Sequence, residues 1–520
     1  MNISNSNTSV ENHAGKRANE TSRSTVLGSV SLLAAVLALS GCAVGPDFRK
    51  PASPAVTSFT ALPLPASTAS APVPQGEAQR IVSGRNIPAE WWTLFHSQPL
   101  NDLITQAVQQ SPNLAAAQAA LREAAELRRA QYGTLFPTVD AGFSATRQKI
   151  SGASFGQPNA GSSLFSLYNA SVNVSYNLDL AGGTRRALEA SQAQLDYQRY
   201  LLEGSYLTLT SNLVTTAVQQ ASLKARIQAI NEMIAAQEEQ VRLTERRLEL
   251  GAGTRPELLA QQSQLAQTRT SLPPLQKELA QSRHQMAVLA GRFPSEAAAL
   301  PEFDLNGLKL PEEVPLSLPS ELVRQRPDIL AAEEQLHQAS AQVGVATSNL
   351  FPKITLTGGF GPQAVSFADL FTSTSLWSIG ANVLQPIFHG GELQARRRAA
   401  NAAFEQAGAQ YRVTVLQAFQ NVADVLRALE MDAQALKAQA EAEQAARANL
   451  ELTRSQYALG AVNYLFLLDA ERQYLQARIT LAQAQAARLA DTAALFQALG
   501  GGWWNRDRGD TAHQDQNKQG

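Results

Sequence analysis

Side chains that commonly do chemistry are few and scattered in this 520-residue chain. Cys42 is the only cysteine, and the six histidines stand at positions 13, 96, 284, 337, 389 and 513. One thiol excludes a disulfide within the chain and a zinc cage built on several thiolates. A catalytic thiol needs a base within reach, and the scattered histidines offer no such pattern. No His-x-x-His pair or phosphate-binding loop occurs. Gly358 to Gly361 reads as the edge of a sheet. Asp469 and Arg472 lie one turn apart on a helical stretch. Such spacing gives by default a solvated ion pair that stabilises little. The chain reads as a non-enzyme.

Cys42 has a context of its own. Lys16, Arg17 and Arg23 form a basic region, and Val26 to Leu39 follow as an apolar stretch. That stretch has the layout of a secretory signal and falls short of the about 20 residues a bilayer-spanning helix needs. Leu39-Ser40-Gly41-Cys42 resembles a bacterial lipobox, in which the cysteine is lipidated and becomes the first mature residue. Ala43, rather than an aspartate, follows it, which favours sorting to the outer membrane. The alternative is an ordinary cleaved signal with an incidental cysteine. The expected organisation begins with a signal peptide over 1–41 and a lipidated Pro-rich tether over 42–88. The covalent lipid on Cys42 is the only group the chain is expected to hold, with no metal or other cofactor.

Composition sets the class. Net charge is -1, so there is no electrostatic case for nucleic acid. Aromatic residues make up 6%, and long stretches are dominated by Ala, Gln, Leu, Arg and Glu, a bias toward long helices. Past the leader no apolar run reaches about 18 residues, so any crossing of a membrane must use strands.

Self-comparison exposes a repeat. Ser111 to Pro137 returns as Arg326 to Pro352, with Pro112, Leu121, Phe136 and Pro137 matched by Pro327, Leu336, Phe351 and Pro352. Gly182-Gly183 returns as Gly390-Gly391, and Gly251 and Leu258 as Gly460 and Leu467. Repeats over 89–318 and 319–504 share one plan: helix, strand pair, long helix, turn, helix. A disordered tail over 505–520 is expected to close the chain. Between Gly183 and Leu250 there is no proline, which predicts about 100 Å of helix. Leu188, Leu195, Leu202 and Leu209 keep heptad spacing, and Val415, Phe419, Val422, Leu426 and Leu429 step by four and three. Both patterns bury one stripe against neighbouring helices. Return helices are predicted from near Pro256 and Tyr464.

The strands alternate with period two. Tyr168, Ala170, Val172, Val174 and Tyr176 interleave with Asn169, Ser171, Asn173 and Ser175. Val139, Ala141 and Phe143 alternate with Asp140, Gly142 and Ser144; Ile354, Leu356 and Phe360 form a third run; Trp377, Ile379, Ala381 and Val383 form a fourth. Each run is about ten residues, enough for a tilted strand to cross a bilayer. A soluble sheet with one wet face gives the same alternation. Four strands cannot close a barrel, whose smallest forms have about eight, so several chains must share one. Two chains would give a filled interior and three an aqueous lumen.

Six segments in order resemble the TolC-type outer membrane factors of tripartite efflux systems, in the OprM/NodT lipoprotein branch. They are Gly41 to Pro51, Trp91 to Ile104, the paired Leu-Phe-Pro segments, Gln385 to Gly391, Asn463 to Leu475 and Ala498 to Trp504. The resemblance implies a fold that is mainly α with membrane β: a homotrimer in which each chain gives four strands to a twelve-stranded barrel and long helices to a periplasmic α-barrel. It implies passive conduction of small molecules such as drugs across the cell outer membrane, with a periplasmic adaptor and an inner-membrane RND-type pump as partners. It implies outer-membrane lipid around the barrel. It also implies a gate at Leu465, Asp469 and Arg472, and adaptor-docking tips at Gly251, Thr254, Gly460 and Asn463. Asp469 has Ala260 as its counterpart in the first repeat, and Phe466 stands where TolC itself carries an acid, so one hairpin per chain is implied to hold the acidic ring. Arg185, Arg186 and Arg396 to Arg398 follow the strands and mark either the periplasmic interface or solvated helix starts. The other readings are an exit channel for type I secretion and a structural periplasmic coiled-coil lipoprotein.

Overall fold

In the computed structural model of the chain, residues 43–151, 161–372 and 374–506 are described. Cys42, the signal segment before it and residues 507–520 of the tail lie outside the described residues. In chain order the elements are β1 (Arg80–Ser83), α1 (Gln98–Gln110), α2 (Pro112–Gly133), β2 (Thr138–Ser151), β3 (Ser162–Leu178), α3 (Gly183–Glu249), α4 (Arg255–Thr270), α5 (Leu272–Leu289), β4 (Glu313–Leu316), α6 (Pro319–Gln325), α7 (Pro327–Ser348), β5 (Lys353–Ala364), β6 (Ser375–Leu384), α8 (Glu392–Ala458) and α9 (Tyr464–Ala498). A helix, a strand pair and a long helical hairpin occur twice in that order. Among the described residues no helix is long and apolar enough to cross a membrane.

The chain divides into two compact units. The first takes 43–50, 124–195 and 334–408 of the described residues. Its centre is an antiparallel sheet in the order β2-β3-β5-β6. The register keeps each face uniform: Val139 lies opposite Val174, Asp140 opposite Asn173 and Phe360 opposite Trp377. Thr355 reaches across to Asn177 with a 2.7 Å hydrogen bond on the polar face. A one-residue slip would mix the two faces, so the alternation fixes the pairing. The apolar face is bare within the chain, with Trp377 74% and Ile379 83% exposed. Strands β2 and β3 run to 14 and 17 residues, longer than the roughly ten that crossing a bilayer requires.

The segment after Cys42 packs on this unit. Val44 donates its N–H to the Ala181 carbonyl at 3.0 Å. Arg186, the first buried arginine of α3, pairs with Asp47 at 2.6 Å and with Glu189 at 2.7 Å. Phe48 stacks on His337 with ring centroids 4.3 Å apart. His337 in turn lies 3.1 Å from both Glu189 and Glu334. Arg186 thus anchors the segment after Cys42, while Arg396 makes an exposed pair with Glu392.

The second unit takes 51–123, 196–333 and 409–506. Trp91, Phe95, Leu100, Ile104 and Phe496 form its fully buried apolar centre, with Trp91 and Phe496 rings 5.4 Å apart. β1 pairs in parallel with β4. The Pro-rich segment leading to β1 is held by Arg488, a fully buried arginine of α9. Its guanidinium donates to the carbonyls of Gln75 (2.7 Å) and Glu77 (3.0 Å) and to Thr68 Oγ1 (3.2 Å). At the other end of the unit's sequence, Arg506 lies 3.9 Å over the Tyr206 ring and pairs with Glu203 at 3.2 Å.

Helix α8 buries Val415, Val422, Leu426 and Leu429 of the stripe its spacing predicts and half-buries Phe419. Of the corresponding leucines in α3 only Leu209 is buried within the chain. The two return helices differ. α9 runs unbroken for 35 residues, whereas the first return stops at Thr270 and restarts as α5 with Pro273 and Pro274 in its first turn. Proline lacks the N–H that would continue α4 and clashes with the preceding turn.

Candidate gate and docking tips

The two interhelical loops are built alike. Gly251 ends α3 with φ +76° and Gly460 ends α8 with φ +74°. In each, the glycine N–H bonds three residues back and the next N–H five back: Gly251 to Leu248 and Ala252 to Arg247, Gly460 to Tyr457 and Ala461 to Gln456. This is a Schellman close, which needs a left-handed residue at the glycine. A Cβ at either position meets nothing within 4 Å, so the backbone angle alone demands glycine. Three residues on, Thr254 caps α4 by accepting from Glu257 N–H, and Asn463 caps α9 by accepting from Leu465 N–H at 3.0 Å. All four sequence-selected tip residues are therefore turn-making positions, and all are exposed.

The loops lie side by side. Tyr457 OH bonds to the Glu257 carboxylate, and Ala260 packs on the cluster of Leu450, Tyr464, Leu467 and Ala470. Burial, and then the Glu257 bond and charge, push the Tyr457 phenol up. Two leucines that the motif reading passed over stand at the matching position before each glycine: Leu250 is 72% and Leu459 86% exposed. The Leu-Gly pair in both loops was the available signal.

On α9 the two faces separate cleanly. Tyr464, Leu467, Ala470 and Glu471 point into the chain, while Leu465, Phe466, Asp469 and Arg472 point out. Asp469 and Arg472 share the wall of an open groove of about 900 Å³ with Gln439 and Asn449 of α8. Within the chain Asp469 accepts a 2.7 Å hydrogen bond from Gln473, and no Asp469–Arg472 ion pair forms among the described residues. The structure thus brings the three gate candidates onto one exposed row, with both charges free to meet groups beyond the chain. Such an arrangement can join copies by ion pairs and stop a bore with an apolar ring. Sequence reasoning missed Glu471, whose charge and position in a polar run gave no sign of burial.

Comparison with known proteins bears on what this arrangement serves. The family profile described as outer membrane efflux protein matches residues 103–292 and 318–501. The pyoverdine export outer membrane protein OpmQ of Pseudomonas aeruginosa is 34% identical over 434 residues, covering 82% of this chain and 90% of that protein. The cation efflux system protein CusC of Escherichia coli is 29% identical over 474 residues, covering 90% of this chain and 97% of that one. Among solved structures, the outer-membrane channel OprN superposes with a TM-score of 0.78 at 31% identity, over 89% of this chain and 100% of that one.

Proposed function

The chain belongs to the outer membrane efflux protein family, and on that premise we propose that three copies form one exit duct, met at its periplasmic tips by an adaptor and supplied by an inner-membrane RND-type pump. It is an outer-membrane efflux channel of a tripartite system. The observation that carries the trimer is the sheet: among the described residues β2 and β6 are each bonded on one side only. Lipid tolerates no open strand edge. Because β2 and β6 run in opposite directions, β6 of one copy can pair with β2 of the next, and three copies close twelve strands. The bare apolar face then meets lipid and the Asn, Ser and Thr face lines water.

Conduction is passive, and energy comes from the pump. The cargo class is small solutes; OpmQ is named for pyoverdine and CusC for cations. The exposed Leu250 and Leu459 give an adaptor apolar contacts beside the turn residues Gly251, Thr254, Gly460 and Asn463. Leu465, Asp469 and Arg472 from three copies form the gate around one axis. Cys42 carries the lipid anchor, and Cys42→Ser should abolish palmitate labelling and leave the precursor unprocessed.

Mass measurement in mild detergent tests the assembly, with a trimer expected; a monomer retaining all four strands in a closed barrel overturns it. Val174→Arg, on the lipid side, should cost about 2–4 kcal/mol if it lies near the midplane, while Asn173→Arg, in the lumen, should be tolerated and change conductance.

A further inference from the structure

Glu471 lies between Asp469 and Arg472 in sequence but on the opposite face of α9. It is 3% exposed, whereas both neighbours are exposed. Two other helices of the chain reach it. Gln237 of α3 donates Nε2–H to its Oε2 at 3.4 Å, and Arg454 Nη2 of α8 stands 3.7 Å from its Oε1. Both contacts are long for a buried charge, since charge-assisted bonds run about 2.7–2.9 Å. Gln237 is itself buried, and its Oε1 has no partner among the described residues. The titratable groups facing Glu471 are Arg454 from α8 and Tyr464 from the start of α9; Glu257 of α4 and Tyr457 of α8 act in turn on Tyr464. From α3 it meets the neutral Gln237.

We infer that Glu471 is a positioning residue for the gate: a buried carboxyl, reached from α3 and α8, whose proton sets how firmly α9 and its exposed row of Leu465, Asp469 and Arg472 are held to the rest of the chain. The inference rests on the gate reading above. A protonated Glu471 buries no charge and can donate its O–H to the unpartnered Gln237 Oε1. An ionised Glu471 has only the two long contacts to offset its lost hydration. Swinging α9 away from α3 wets the carboxyl and relieves that cost, so a bound proton favours the closed arrangement and ionisation favours opening. Burial pushes the Glu471 carboxyl above the usual carboxylate range, with Arg454 opposing. The proton's hold is therefore complete below the usual carboxylate range and is lost as pH rises through the raised value.

Single-channel recording of the full-length protein in planar bilayers, stepped in pH from the usual carboxylate range upward, tests this. Wild type should open more readily as pH rises, the closed-to-open ratio falling by up to about tenfold per pH unit within the titration window. Glu471→Gln, which keeps the shape and cannot ionise, should stay closed and flat with pH. Glu471→Ala serves as a second variant, expected to lose the pH response and open more. A pH-insensitive wild type, or a Glu471→Gln channel with the wild-type profile, overturns the inference. The Asp469→Ala, Arg472→Ala double variant separates the two readings. It should conduct more at every pH while retaining the response to pH; if its conductance does not move, the gate reading fails whatever Glu471 does.

Discussion

Hairpin α3/α4 and hairpin α8/α9 leave their long helices through left-handed glycines, Gly251 and Gly460, and enter the next helix through Thr254 and Asn463. Beyond the caps they diverge. The first return helix breaks before Pro273, while α9 continues for 35 residues. The first has Ala260, packed inward, where the second has Asp469, exposed. Turning the chain is thus separate from the bore control proposed for α9. The shared loop needs glycine and a polar cap for local reasons. Nothing in the turn requires Leu465, Asp469 or Arg472, and the proposed gate assigns their exposure to contacts beyond the chain.

That contrast can be broken most severely at the helix break. Ala482 is the α9 counterpart of Pro273, and Ala482→Pro should cost about 3 kcal/mol or more, seen as lost trimer and an early melt. Pro274→Ala should change stability by less than about 1 kcal/mol, because a first-turn proline sacrifices no helical bond. If Ala482→Pro were harmless, continuity of α9 would not matter.

The likeness of the loops predicts a smaller, matched pair of losses. Gly251→Ala and Gly460→Ala should each cost about 1–2 kcal/mol from the left-handed angle alone. Thermal unfolding of the isolated protein should rank them together; a far larger loss at Gly460 would show a second duty inside the chain. Tyr457→Phe removes one hydrogen bond between the hairpins, to Glu257, and should cost about 1 kcal/mol.

A last difference is acid–base. Asp491 of α9 is pushed up to about 7 by burial and then by its bond to, and the charge of, Asp432 on α8. The first hairpin has Ser282 at that repeat position. A raised carboxyl contributes stability that is full below the usual aspartate range and lost as pH rises toward and through about 7. Asp491→Asn should therefore melt above wild type at alkaline pH, with the gap closing on acidification.

Much of this was legible in the residues. Alternation over Thr138–Ser151 and Ser162–Leu178 exposed the strands because lipid and water impose opposite demands on two faces. The glycine turns at Gly251 and Gly460 were readable because the chemistry of helix ends is local. What stayed hidden depends on distant partners. β1 and β4 are four residues each and meet across more than 200 positions, as in Ile81 with Val314. Arg488 and Glu471 sit in charged, helix-forming runs that look solvated until the packing buries them. The leucine spacing of α3 promised a buried stripe, yet within the chain only Leu209 is buried and Leu188, Leu195 and Leu202 are half-buried.

The central claim, a three-copy channel held shut by the exposed row of α9, is tested most directly by single-channel conductance of wild type against the Asp469→Ala, Arg472→Ala double variant. The account predicts higher conductance at unchanged trimer yield, and cells newly sensitive to large antibiotics such as vancomycin. Equal conductance and equal sensitivity in a well-expressed double variant would mean that Asp469 and Arg472 are ordinary surface charges, and would contradict it.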